Sequence, residues 1–132
     1  MKGESQLVTT LATNLAQRLG SGYVVLPQSH SSGLVGGNPD ITVYNSNTNQ
    51  VVLVEVKGSG LEFELPLATL PVLRRMRELN KELHPKLILI TTSRVGLELR
   101  DALLHDNVYV LEAETQKNVV EDVAHIIVGP AK

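Results

Sequence analysis

Three charged residues sit where a buried strand has little reason to hold them. The run Val51-Val52-Leu53-Val54-Glu55-Val56-Lys57 reads as a β-strand, β-branched and unbroken. Side chains alternate faces along a strand, so Val52, Val54 and Val56 share one face and Val51, Leu53, Glu55 and Lys57 the other. A strand apolar on both faces is a buried central strand, and an unpaired charge at its end is costly. Upstream, residues 41–44 read as a strand that forms a hairpin with it through the Asn45-Ser46-Asn47-Thr48-Asn49 turn, because Asn tolerates left-handed backbone and bonds its own main chain. With the turn centred between Asn47 and Thr48, Ile41 faces Val54 and Asp40 lies opposite Glu55. Directly opposed Cβ atoms are roughly 4.5–5.5 Å apart. Two carboxylates so placed repel, and one is driven neutral unless a divalent cation lies between them. Lys57 points to the same side with a compact positive charge. Two acids and a lysine converging at a strand end predict a magnesium (or manganese) site with a built-in electrophile. A slip of one residue in register would break it.

Holding these groups takes a sheet and its cover. Leu7, Leu11, Leu15 and Leu19 recur every four residues and predict an amphipathic helix ended by Gly20-Ser21-Gly22. Residues 23–26 read as a short strand, and 27–39 as a loop rich in Ser, Gly and Asn, long enough to wrap something. Residues 66–83 read mostly as helix, with Thr69 as cap and Pro71 in the first turn. Its buried stripe is expected to be Leu70, Leu73, Met76, Leu79 and Leu83, and His84-Pro85 stops it. Residues 87–91 and 108–111 read as strands and 95–105 and 116–127 as helices, the last turning Val119, Val120, Val123 and Ile127 inward. The order is helix, three strands, helix, strand, helix, strand, helix. That is an α/β fold, a mixed sheet with helices on both faces, and the whole of residues 1–132 reads as one domain.

Pro39-Asp40, fourteen further residues and then Glu55-Val56-Lys57 resemble the PD-(D/E)xK nuclease signature. The element order is similar to the restriction-endonuclease-like core over nearly the whole chain. Lys2-Gly3-Glu4 opening a helix, with the Ser/Gly loop before Pro39-Asp40, looks similar to archaeal Holliday-junction resolvases. Leu89-Ile90-Thr91-Thr92-Ser93, followed by a helix and Val108-Tyr109-Val110-Leu111, is similar to the distal half of the catalytic domains of methylated-DNA restriction enzymes. The resemblance implies roles. Asp40, Glu55 and the main-chain carbonyl of Val56 would ligate the metal, and Glu4 matches an acid that several members use as an additional ligand. Lys57 would position or deprotonate water and offset charge on the phosphorane. Such an ion activates water near neutral pH and stabilises the in-line transition state. Plainer readings exist for each: a strand start at Asp40, a solvent-reaching strand end at Glu55 and Lys57, and a helix-dipole partner in Glu4.

Other residues are candidates for nucleic-acid contact. His30 and Ser32, with Ser31, lie in the loop entering the site. Arg74, Arg77 and Lys81 fall on one side of a helix, away from the leucine stripe, as phosphate contacts would; a solvated face with Glu78 pairing its neighbours is the alternative. Thr91, Thr92 and Ser93 end a strand, where hydroxyls could hold a phosphate or cap the next helix. Lys57-Gly58-Ser59-Gly60 reads as a flexible exit and lacks the spacing of a phosphate loop.

Composition bounds the function. The chain has no Cys, which removes disulfides, thiolate zinc sites and thiol nucleophiles. Aromatic residues make up 3%, with one Phe and no Trp, so a base-stacking platform for single-stranded nucleic acid is disfavoured. A net charge of -2 excludes a strongly basic coat and departs from the basic resolvases. Counterion release, the main source of non-specific affinity, is therefore small outside the Arg74–Lys81 face. No apolar run approaches a membrane span and the first residues open no secretory signal, so a cytoplasmic location is expected. The leading expectation is a Mg2+- or Mn2+-dependent nuclease, a DNA endonuclease, acting as a homodimer or guided by a protein partner that supplies specificity. A non-catalytic binding or assembly module on the same fold is the alternative, and RNA is not separated from DNA.

Overall fold

The computed structural model describes residues 2–27, 38–113 and 118–129, with side chains from residue 6 onward. Four helices and a five-stranded mixed sheet are found among them. Helix α1 (Lys2–Leu19) precedes β1 (Tyr23–Pro27), β2 (Ile41–Asn45) and β3 (Val51–Lys57). Then come α2 (Thr69–Leu79), β4 (Lys86–Thr91), α3 (Leu97–His105), β5 (Val108–Glu112) and α4 (Val119–Val128). The strand order is β1-β2-β3-β4-β5. The first three strands pair antiparallel in chain order, and β3, β4 and β5 run parallel. Parallel neighbours need a crossover, which α2 and α3 provide.

The alternation of side chains along β3 and β4 explains where each helix packs. Val52, Val54, Val56, Ile88 and Ile90 face Leu11 and Leu15 of α1 and Val123, Ala124 and Ile127 of α4. Val51, Leu53, Leu87 and Leu89 face Leu73 and Met76 of α2 and Leu99 and Leu103 of α3. Both faces of the central strands are thus dry, as their continuous apolar sequence requires. Arg18 of α1 reaches Glu121 of α4 through two exposed hydrogen bonds, at 2.8 and 2.7 Å, bridging the two helices on their shared face.

The hairpin turn forms as its asparagines predict. The Asn45 side-chain carbonyl accepts the N–H groups of Asn47 and Thr48, at 2.9 and 3.2 Å, and Asn49 takes φ 64°. Ile41 pairs with Val54, the register that sets Asp40 against Glu55.

The second helix departs from its sequence pattern. It ends at Leu79, not Leu83, and Leu79 and Leu83 are exposed where burial was expected. Asn80 takes the next inward position and its side chain donates to the Met76 carbonyl at 2.8 Å, satisfying a helix-end acceptor from within the core. A 3-10 turn (Lys81–Leu83) and left-handed His84 then reverse the chain into β4. At the other end Thr69 is the first helical residue and not the cap, and is itself buried. Pro71 lies in the first turn as expected, where a missing N–H costs nothing. The last helix begins at Val119 behind an Asn118 cap that accepts from the Glu121 N–H. Among the described residues no helix is long and apolar enough to cross a membrane.

Candidate active site

Pairing of Ile41 with Val54 carries the two strands toward one end of the sheet, where β2 begins and β3 ends. Asp40 sits one residue before β2. Its carboxylate accepts the Val56 N–H at 2.7 Å, so the acid is tied to the backbone of the strand that carries the other two charges. Glu55 lies on the face covered by α2 and α3 and is 7% exposed. One of its oxygens, Oε2, is 3.3 Å from the Lys57 ammonium. The other, Oε1, is buried with no hydrogen-bond partner. A buried carboxylate oxygen left without a donor is expensive unless something positive occupies the space in front of it.

The electrostatics agree with the geometry. Burial, then repulsion from Asp40, pushes the Glu55 carboxyl from an ordinary 4.5 up to about 7, against the pull of Lys57. Burial also raises Asp40, opposed by the Val56 N–H and by Lys57. One lysine does not compensate two desolvated acids. The donor set suits a hard divalent cation: two carboxylates, and no thiolate in the chain. Among the described residues no third His, Asp or Glu joins the pair. Glu4 lies in the first turn of α1 and its side chain is outside the described residues, as are His30, Ser31 and Ser32 entirely.

The exit from β3 is pinned and not flexible. The Thr92 N–H donates to the Lys57 carbonyl at 3.1 Å, and the Ser59 N–H donates to Ser93 Oγ at 2.8 Å. Gly58 makes this crossing possible. Its φ is 136°, and a Cβ there would lie 2.7 Å from the Thr92 nitrogen and 2.8 Å from that of Ser93. Thr91 Oγ1 accepts the Ser93 N–H at 3.0 Å. These hydroxyls therefore stitch the ends of β3 and β4 together, and α3 is capped by Gly96 without a side-chain bond.

Beside this stitch a cleft of about 620 Å³ opens between the β3 exit and the first turn of α2. Lys57 forms part of its wall, so that residue touches both the carboxylate pair and the cleft. Phe63, Pro66 and Val72 give it an apolar side; Ser59, Glu64 and Thr69 give it a polar one. The reading of spacing and residue type passed over Phe63, although its being the sole Phe of the chain was available as a signal.

Arg74, Arg77 and Lys81 are not brought to the carboxylate pair. Arg74 Nε binds the Asp106 carboxylate at 2.6 Å, and Arg77 donates to the Asp106 carbonyl. Lys81 pairs with Glu78 at 3.1 Å. Asp106 precedes β5, at the opposite end of the parallel strands from Lys57. The two arginines clamp the turn between α3 and β5 to the far end of α2. No sequence signal marks Asp106, since the contact spans 32 residues.

No known family model matches the chain, and no curated protein is significantly similar to it. Two solved structures are similar. A repair endonuclease from Pyrococcus abyssi superposes with a TM-score of 0.55 at 12% identity, covering 85% of this chain and 46% of its own. The MspJI restriction endonuclease in complex with a 27-mer oligonucleotide gives 0.54 at 19% identity, covering 94% of this chain and 31% of its own. The fold is restriction-endonuclease-like. The chain spans less than half the length of either neighbour.

Proposed function

We propose that the chain is a Mg2+- or Mn2+-dependent nuclease that hydrolyses phosphodiester bonds in DNA. The observation that carries this reading is the buried, partnerless Oε1 of Glu55, beside Asp40 and Lys57 at the end of β3. The names of the two structural neighbours, both endonucleases, support internal cleavage. Asp40, Glu55 and the Val56 carbonyl would hold the ion, with Glu4 the additional acid that the family resemblance implies. When bound, the ion supplies Lewis acidity that activates water and offsets charge on the phosphorane. Asp40 is oriented for this by the Val56 N–H. Glu55, buried beside Asp40, would hold the ion through its carboxylate. Lys57, 39% exposed in its side chain, lies between Glu55 and the cleft and would hold the scissile phosphate. Cutting both strands of a duplex takes two such centres, which two copies of the chain would supply.

The test is cleavage of supercoiled plasmid, linear duplex, single strands and a four-way junction, with Mg2+, Mn2+ or chelator, for wild type beside Lys57→Ala. Metal-dependent cutting that Lys57→Ala abolishes is the expected result. Absence of cutting together with absence of a metal effect on melting temperature refutes it. The engagement of Arg74, Arg77 and Lys81 by acids and carbonyls favours a second reading, a non-catalytic binding module on the nuclease fold. That reading predicts no metal-dependent rise in melting temperature.

A further inference from the structure

The segment between β3 and α2 is strapped across the end of the sheet. The Arg94 N–H donates to the Phe63 carbonyl at 3.0 Å, the Leu65 N–H to the Arg94 carbonyl at 2.8 Å, and Arg94 Nε to the Leu61 carbonyl at 2.8 Å. The Phe63 backbone is thereby fixed while the residue stays 54% exposed at the cleft. Leu61, Leu67 and Val72, also exposed, gather on the same strap and helix turn. Phe63 thus stands in an exposed apolar cluster beside the cleft, and contiguous apolar patches of this kind are where binding surfaces are found.

The chemistry of the cleft restricts its occupant. The first N–H groups of α2 are spent: those of Thr69 and Leu70 donate to the Pro66 and Leu67 carbonyls, each at 3.0 Å. Glu64 lines the cleft, 3.7 Å from Arg94, and its carboxylate repels an anion. The cleft beyond Lys57 is therefore unsuited to phosphate. It suits a flat, neutral group with an apolar face for Phe63 and hydrogen-bonding edges for Ser59, Thr69 and Glu64. Its volume is within the roughly 300–1,000 Å³ of small-molecule sites. With a net charge of -2 and Arg74 and Arg77 engaged at Asp106, stacking in the cleft would add affinity that counterion release supplies only in small part.

We infer that the cleft receives an unstacked nucleobase next to the phosphodiester held at Lys57, so that the chain prefers strands with an unpaired base at that point. This rests on the nuclease reading for its placement of the phosphate. Such a base costs least to present from a single strand, and costs unpairing as well as unstacking from a duplex.

Phe63→Ala and Phe63→Trp test it in the full chain, with a fluorescent single-stranded 12-mer and the matching duplex, in chelator and in Ca2+. The chain has no other Trp, so Phe63→Trp is a single emission reporter. Phe63→Ala is expected to weaken single-strand binding by about 5- to 100-fold, with little effect on duplex binding. Phe63→Trp is expected to keep the affinity and lose emission on adding strand. Binding unaltered by Phe63→Ala overturns the inference, as does Trp emission that does not change at saturating strand, or no binding of single strands by wild type. Mn2+-dependent melting shifts, read in the same samples, follow the metal centre separately. Quenching with neither a metal effect nor cleavage would sink the nuclease and spare the cleft; a metal effect without quenching would sink the cleft alone.

Discussion

Replacing Glu55 with Gln removes an ionisable group from the folded interior and nearly keeps its shape. The carboxyl moves from an ordinary 4.5 in the unfolded chain to about 7 in the folded one. At about 1.4 kcal/mol per pH unit, its ionised form is roughly 3 kcal/mol less favourable in the folded protein. The folded state holds the proton more tightly. The stabilising contribution is therefore complete below pH 4.5, falls as pH rises through the interval, and is gone above about 7. In metal-free buffer with chelator, wild type should lose on the order of 10 °C of melting temperature relative to Glu55→Gln between pH 4.5 and 8. The amide costs the same at every pH, so it displaces the Glu55→Gln curve without tilting it. Asp40, raised by its own burial, titrates in both proteins, so the difference between the curves reports Glu55 together with its coupling to Asp40. The assay is thermal unfolding followed by circular dichroism at half-unit pH steps. Parallel curves for the two proteins would refute the reasoning, because a carboxyl with an ordinary affinity for protons is not buried beside another acid.

Asp40→Asn keeps an acceptor for the Val56 N–H and removes the charge facing Glu55. At pH 8 in chelator it should melt a few degrees above wild type, and added Mn2+, which raises the wild-type melting temperature, should leave it unmoved. The double variant Arg74→Ala/Arg77→Ala should melt lower, having lost the clamp on Asp106. The salt dependence of its DNA affinity should match wild type, whereas loss of true phosphate contacts lowers that slope by about one per side chain. Gly58→Ala meets the backbone nitrogens of Thr92 and Ser93 and takes a φ reserved for glycine. Denaturant unfolding should show a loss of about 1–3 kcal/mol or more, and cleavage should fall with the displacement of Lys57.

Much of this protein is written in local patterns. The Asn-rich turn and the alternation of Val51–Lys57 determined the hairpin register, and with it the opposition of Asp40 and Glu55. Those patterns depend only on neighbours in the chain: turn chemistry at Asn45 and Asn49, and a strand period of two. The order of helices and strands followed from periodicity in the same way. The tertiary structure alone decided which face each helix covers, that α2 stops at Asn80 because its amide closes the helix end, and that Arg74 and Arg77 serve Asp106. It also decided that one oxygen of Glu55 is left without a donor, and that Phe63 stands over a cleft shared with Lys57. These are contacts between segments far apart in sequence, set by how two layers of helices close on a sheet. No local pattern encodes the distance across that packing, and the buried electrostatics of the acid pair arise only once it has excluded water.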